Sequence, residues 1–113
     1  MRLNFILFIL FSTCINGFIN VNNNKLIDEY GRERIFHGVN VVYKGLPWHP
    51  RIDIFDPTDS FSIDDIINLK EWGFNVIRLG VMWPGVEPNE YSYNTTYINI
   101  LKEIVDMCNL HNI

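Results

Sequence analysis

The stretch Trp72-Gly73-Phe74-Asn75-Val76-Ile77-Arg78-Leu79-Gly80 constrains the fold most, because a helix end gives way at once to an apolar strand. Gly73 directly after Trp72 is a helix C-terminal stop. Upstream, Ser62-Ile63-Asp64-Asp65 fits a capping box with Asp in place of Glu, and its acidic first turn suits the helix dipole. Ile63, Ile66 and Ile67 are expected to form the buried stripe of that helix. Before it, Ile35 to Val42 is apolar without clean alternation, the pattern of a strand covered on both faces. After it, Phe74 to Val81 reads as a second strand and Met82 to Tyr93, with Pro84, Gly85 and Pro88, as a loop. A second helix starts near Asn94 or Thr95 and carries Tyr97, Leu101, Ile104, Val105 and Cys108 on one face.

Strand, helix, strand, helix with apolar strands implies an α/β fold with parallel pairing through a right-handed crossover. Two such strands with helices on one side cannot close a core. The chain therefore reads as the opening part of a larger domain, and the first candidate is an eight-unit barrel, which typically needs roughly 250 residues. A doubly wound sheet is the alternative, but its glycine fingerprint should follow the first strand, and Asn40-Val41-Val42-Tyr43-Lys44-Gly45 has no such pattern.

The N-terminus carries a different signal. Arg2 and the apolar run Phe5 to Phe11, followed by Ser12, Thr13, Cys14 and Gly17, have the order of a secretory leader, so residues 1–17 are expected to be a signal peptide cleaved between Cys14 and Phe18. The run is too short for a membrane span, which takes roughly 20 apolar residues. The expected localisation is secreted or lumenal, endolysosomal compartments included, with residues 18–113 as the incomplete N-terminal part of the larger domain. Asn94-Thr95-Thr96 is an N-glycosylation acceptor pattern, usable in a eukaryotic secretory route. A formal net charge of −4 without a basic patch argues against nucleic acid. Two cysteines, one of them in the leader, offer neither a disulfide framework nor metal-ligand spacing, and no cofactor is implied.

Past the leader, Phe18 to Val21 and Leu26-Ile27 read as short strands, and Gly31 within a polar corner predicts a hairpin over Lys25 to Phe36. The connection from Tyr43 to Phe61 is long, and its aromatic content suggests a working loop. Asp53, Asp56, Asp59 and His49 within it are taken as solvated or turn-forming.

Arg78 is the chemically demanding residue, because a guanidinium always keeps its charge and needs acceptors around it when buried. Alternation along the strand puts Ile77 and Leu79 toward the helices, and Val76, Arg78 and Gly80 on the other face. In a barrel that face is the interior, and a residue near the strand's C-terminal end points to the mouth where such active sites are built. The alternative is an Arg paired with a scaffold carboxylate.

The combination of His37-Gly38-Val39-Asn40-Val41-Val42-Tyr43-Lys44, Trp72 to Trp83, Val86-Glu87-Pro88, Tyr93-Asn94 and Thr96-Tyr97 resembles glycoside hydrolase family 5 over Leu26 to Ile113, with its closest likeness to the endoglycoceramidase branch, which releases the glycan from glycosphingolipids. The resemblance implies a (β/α)8 TIM barrel, of which this chain would hold an N-terminal hairpin and the first two strand–helix units. It also implies retaining hydrolysis by two glutamates about 5 to 5.5 Å apart, on later strands outside this chain. Arg78 then matches an arginine that hydrogen-bonds around the nucleophile and lowers its pKa. Lys44 matches a lysine able to reach sugar hydroxyls, the alternative being a solvated loop residue. On the same resemblance Asn40 orients loop backbone or contacts substrate, and Trp83 either forms a sugar-stacking wall or seals the loop as a core aromatic. Glu87 falls in a loop and receives no catalytic role. The family pattern has a glycine before Tyr93-Asn94 where this chain has Tyr91-Ser92, so that loop's shape departs from the family. The implied partner is a glycan or glycolipid. A cellulose- or mannan-acting branch of the family, and a truncated non-catalytic secreted product, are the alternatives.

Overall fold

The structure is a computed structural model that describes residues 18–113. The expected leader over residues 1–17, with Cys14, lies outside the described residues. Two compact units divide at Ile35.

In the first unit, β1 (Asn20–Asn22) and β2 (Lys25–Ile27) form an antiparallel hairpin with Val21 opposite Leu26. Its turn is Asn23-Asn24, both at positive φ (47° and 60°), the left-handed pair that a two-residue hairpin turn requires and asparagine tolerates. The expected hairpin over Lys25 to Phe36 is realised only as a turn. The chain reverses at Gly31 (φ 75°) and returns to a single bridge between Ile27 and Glu33, without a strand. Side chains hold that corner. Asp28, 8% exposed, accepts from the Tyr30 and Arg32 amides at 3.0 Å each and from Arg32 Nε at 2.8 Å.

The second unit carries β3 (Gly38–Val41), α1 (Ile63–Glu71), β4 (Val76–Leu79), the single-turn α2 (Trp83–Val86) and α3 (Thr95–Leu110). β3 and β4 pair in parallel in the register Gly38↔Val76, Val39↔Ile77, Asn40↔Arg78 and Val41↔Leu79. The two strand–helix units expected from the sequence are therefore present. α1 begins at Ser62, whose amide and hydroxyl both donate to Asp65 Oδ2, at 2.8 and 3.1 Å. It ends in a Schellman motif: Gly73, at φ 80°, donates to the Lys70 carbonyl and Phe74 to the Leu69 carbonyl, each at 3.0 Å. α3 is capped by Asn94 Oδ1, which accepts from the Tyr97 amide at 3.1 Å.

Val41, Phe61, Ile66, Leu69, Ile104 and Cys108 make the core, with Val39, Ile77 and Leu79 packed against it. Ile66 and Ile104 are fully buried, each a contribution of about 1.5–3 kcal/mol. Three expected core positions differ from the sequence reading. Ile63 and Ile67 on α1 stay substantially exposed, and so does Val105 on α3, at 54%. They flank the Ile66–Leu69 and Ile104–Cys108 stripes on sides that no described element covers. β3 is likewise covered on one face only, with Gly38 and Asn40 exposed on the other, because α1 and α3 both pack on the same side of the pair. The segment expected to be loop from Met82 to Tyr93 contains α2, which starts with Pro84 in its first turn, where a missing amide proton costs nothing.

Candidate active site

Parallel pairing brings the C-terminal ends of β3 and β4 to one end of the sheet, and both long loops, residues 42–62 and 80–94, leave from there. The face away from the helices is layered. Gly38 lies level with Val76, Asn40 with Arg78, and Val42 beside Gly80, where a Cβ on the glycine would meet the Val42 methyls at 3.0 Å. Phe36, Gly38, Val39, Asn40, Val76 and Arg78 line a hollow of about 270 Å³ on this unit.

Gly38 sets the geometry of the pair. A Cβ there would stand 1.8 Å from the Val76 carbonyl oxygen, so only glycine lets the two strands approach in this register. Next to it, the His37 amide donates to Asn75 Oδ1 and the Asn75 amide to the His37 carbonyl, both at 2.9 Å, while the His37 ring stacks on Phe74 with centroids 4.4 Å apart. This clamp secures the N-terminal end of the strand pair, and with it the pairing of Asn40 with Arg78.

Arg78 is exposed on the helix-free face, and among the described residues no carboxylate pairs with it. The scaffold ion pair weighed from sequence is thus not formed by the described residues. Lys44 stands exposed on the loop after β3. Trp83 opens α2 and is 72% exposed among the described residues. The structure brings together Asn40 and Arg78, and puts Lys44 and Trp83 on the two loops that rise beyond them.

Carboxylates of the two loops hold loop structure. Glu87 Oε1 accepts from the Tyr91 amide at 2.7 Å, holding a turn in which Tyr91 adopts φ 60°. Asp56 Oδ1 accepts from the Thr58 amide at 2.8 Å and from the Thr58 hydroxyl, and these bonds hold its carboxyl below the ordinary range. Asp53 and Asp59 lie 3.9 and 3.7 Å from Arg51 Nε, and Arg51 and Ser60 bridge to close the loop on itself. The described residues hold no cluster of His, Cys, Asp and Glu able to bind a metal ion. Cys108 is buried, and desolvation pushes its thiol pKa up, which makes it a packing residue. Asn94 uses Oδ1 for the helix cap and leaves its amide nitrogen, the atom a glycan would occupy, outside that bond.

One residue that sequence reasoning placed only in an apolar stripe has a polar duty as well. Tyr97, 2% exposed, receives the Met82 amide on its hydroxyl at 2.8 Å, and its ring covers Gly85. A buried tyrosine needs a partner for its hydroxyl, and that rule was the available signal; the identity of the partner was not.

The sequence profile of Cellulase (glycosyl hydrolase family 5) matches residues 22–113. An endoglycoceramidase of Hydra vulgaris is 51% identical over 92 residues, covering 80% of this chain and 18% of the relative. An endoglycoceramidase of Cyanea nozakii is 48% identical over 87 residues, covering 77% and 17%. The chain thus spans less than a fifth of the length of these curated relatives. Among solved structures, the crystal structure of an endogalactoceramidase superposes with a TM-score of 0.64 at 22% identity, over 84% of this chain and 21% of that one, a likeness of fold.

Proposed function

Because the chain belongs to the Cellulase family, glycosyl hydrolase family 5, we propose that it forms the first two strand–helix units of a (β/α)8 barrel that hydrolyses O-glycosidic bonds with retention, between the oligosaccharide and the ceramide of a glycosphingolipid. The observation that carries this reading is Arg78 beside Asn40 on the helix-free face of a parallel pair, near the C-terminal ends of its strands. In a closed barrel that face is the interior and that end is the mouth.

Retaining hydrolysis needs one carboxylic acid to protonate the leaving oxygen and one carboxylate to attack the anomeric carbon. Both come from later strands in this reading. Arg78 supplies the cation beside the nucleophile, keeping it ionised and aimed, since a neighbouring positive charge favours the charged form of a carboxylate. Lys44 and Asn40 donate to sugar hydroxyls, and the exposed indole of Trp83 offers an apolar face on which a sugar ring stacks. Residues 1–17 act as the leader to the secretory route, where Asn94 becomes available for glycosylation.

The glycosphingolipid substrate is favoured by the two endoglycoceramidase relatives at about half identity. The family's own description favours a second reading, a cellulose- or mannan-type polysaccharide. Substrate profiling of the full-length protein separates them. Release of intact oligosaccharide from a glycosphingolipid, with residues 18–113 inactive when isolated, is the expected result. Cleavage of β-glucan or mannan alone selects the second reading, and hydrolysis by the isolated segment contradicts the assignment of acid and nucleophile to later strands.

A further inference from the structure

We infer that Tyr97 is a positioning residue for substrate binding, the post that fixes the loop carrying Trp83; this rests on the hydrolase reading above. Three contacts converge on it. Its hydroxyl accepts the Met82 amide at 2.8 Å, immediately before Trp83. Its ring lies over Gly85 so closely that a Cβ on that glycine would meet ring carbons at 2.6 Å. Its other neighbour is His49 of the loop after β3, with ring centroids 6.1 Å apart, and His49 Nδ1 is itself 2.8 Å from the Pro50 carbonyl oxygen, which it serves as donor. One buried side chain of α3 therefore touches both loops that leave the C-terminal ends of β3 and β4.

The arrangement is more than packing. Tyr97 sits in the first turn of α3, whose own start is tied to α2 by the Asn94 amide donating to the Val86 carbonyl at 2.8 Å. The segment from Met82 to Val86 is thus held at both ends by the first turn of one helix, and Trp83 and Pro84 are left as its exposed members. α2 is a single turn, too short to be stable by itself, so its place depends on these anchors. Tyr97 touches no reacting atom; it acts through Trp83.

The test is Tyr97→Phe in the full-length protein, which keeps the ring over Gly85 and removes only the acceptor for the Met82 amide. Losing a hydrogen bond of ordinary net strength multiplies the opening equilibrium of the loop by about five, so hydrogen exchange at Met82 is expected to accelerate about fivefold. The same factor sets the ceiling for the rise in KM, with kcat changed less than about twofold. In a Trp83→Ala background the Tyr97→Phe effect on KM should vanish, a coupling that general destabilisation would not produce. Gly85→Ala, which pushes against the same ring, should reproduce the exchange and KM changes. Unchanged exchange at Met82 overturns the inference whatever the activity, and so do KM effects of Tyr97→Phe and Trp83→Ala that simply add. A wild type that cleaves no glycoside while Met82 exchange still accelerates in the variant sinks the hydrolase reading and leaves the loop anchor standing.

Discussion

Replacing Gly38 by alanine is the sharpest probe of how the strand pair places Arg78. The added Cβ would lie 1.8 Å from the Val76 carbonyl oxygen and 2.6 Å from Val76 Cγ1, whereas ordinary contacts begin at 3.4 Å. The shortfall is about 1.6 Å against a backbone atom, which has no rotamer to yield. The strands must open or slip. Opening by that amount breaks the adjacent His37–Asn75 clamp, whose two bonds are 2.9 Å long. Two hydrogen bonds at about 1 kcal/mol each, with about 1–3 kcal/mol for overpacking, put the loss at roughly 3–5 kcal/mol. That is a large share of a stability of about 5–15 kcal/mol. Gly80→Ala is the internal control. Its Cβ meets only the Val42 side chain, at 3.0–3.2 Å, which can yield by a rotamer change where a backbone carbonyl cannot, so about 1 kcal/mol or less is expected. Urea unfolding of the two full-length variants, compared at equal m-value, measures the difference. A Gly38→Ala protein no less stable than Gly80→Ala would refute the claim that close backbone approach sets the register.

Two other outcomes follow from the same geometry. Arg78→Ala should lower kcat by about 100-fold or more in the full-length enzyme, the scale for removing one preorganised electrostatic partner, with the fold retained; activity within threefold of wild type would refute its role. At Asp28, burial opposes the charge, but the hydrogen bonds from the Arg32 side chain and from the Arg32 and Tyr30 amides, together with the Arg32 charge, outweigh it and hold the carboxyl below its ordinary 3.8. A depressed folded pKa means that the stabilisation is full above the ordinary value and is lost as pH falls through the lower folded one. Exchange at the Tyr30 and Arg32 amides should therefore accelerate on acidification below that value, and Asp28→Asn should abolish the acid dependence. Acid-independent exchange in the wild type would remove Asp28 as the organiser of the corner.

Much of the scaffold is legible from short-range signals. Ser62 with Asp65 and Gly73 with Phe74 bound α1 through bonds that span five residues or fewer, so the chain states them locally. Alternation separates Ile77 and Leu79 from Val76 and Arg78 because a strand's side-chain period is two wherever it packs. The motif residues Gly38 and Asn75 are equally visible, but the structure assigns them the strand approach and the clamp. The site was legible in its members and less so in their surroundings. The family's glycine missing before Tyr93 corresponds here to a turn held by Glu87.

By itself, the sequence determined the two strand–helix units, the cap and stop of α1, the parallel sense of the strands and the identity of the cation facing away from the helices, because each follows from backbone geometry and periodicity over a few residues. Tertiary structure alone decided which isoleucines of α1 are covered, that Asn40 is the neighbour of Arg78, and that the Tyr97 hydroxyl reaches Met82. Those outcomes depend on partners between 15 and 38 residues apart in the chain for the last two, and on which side of a helix finds a neighbour for the isoleucines. A stripe pattern reports that a face can be buried; only the packed chain shows against what.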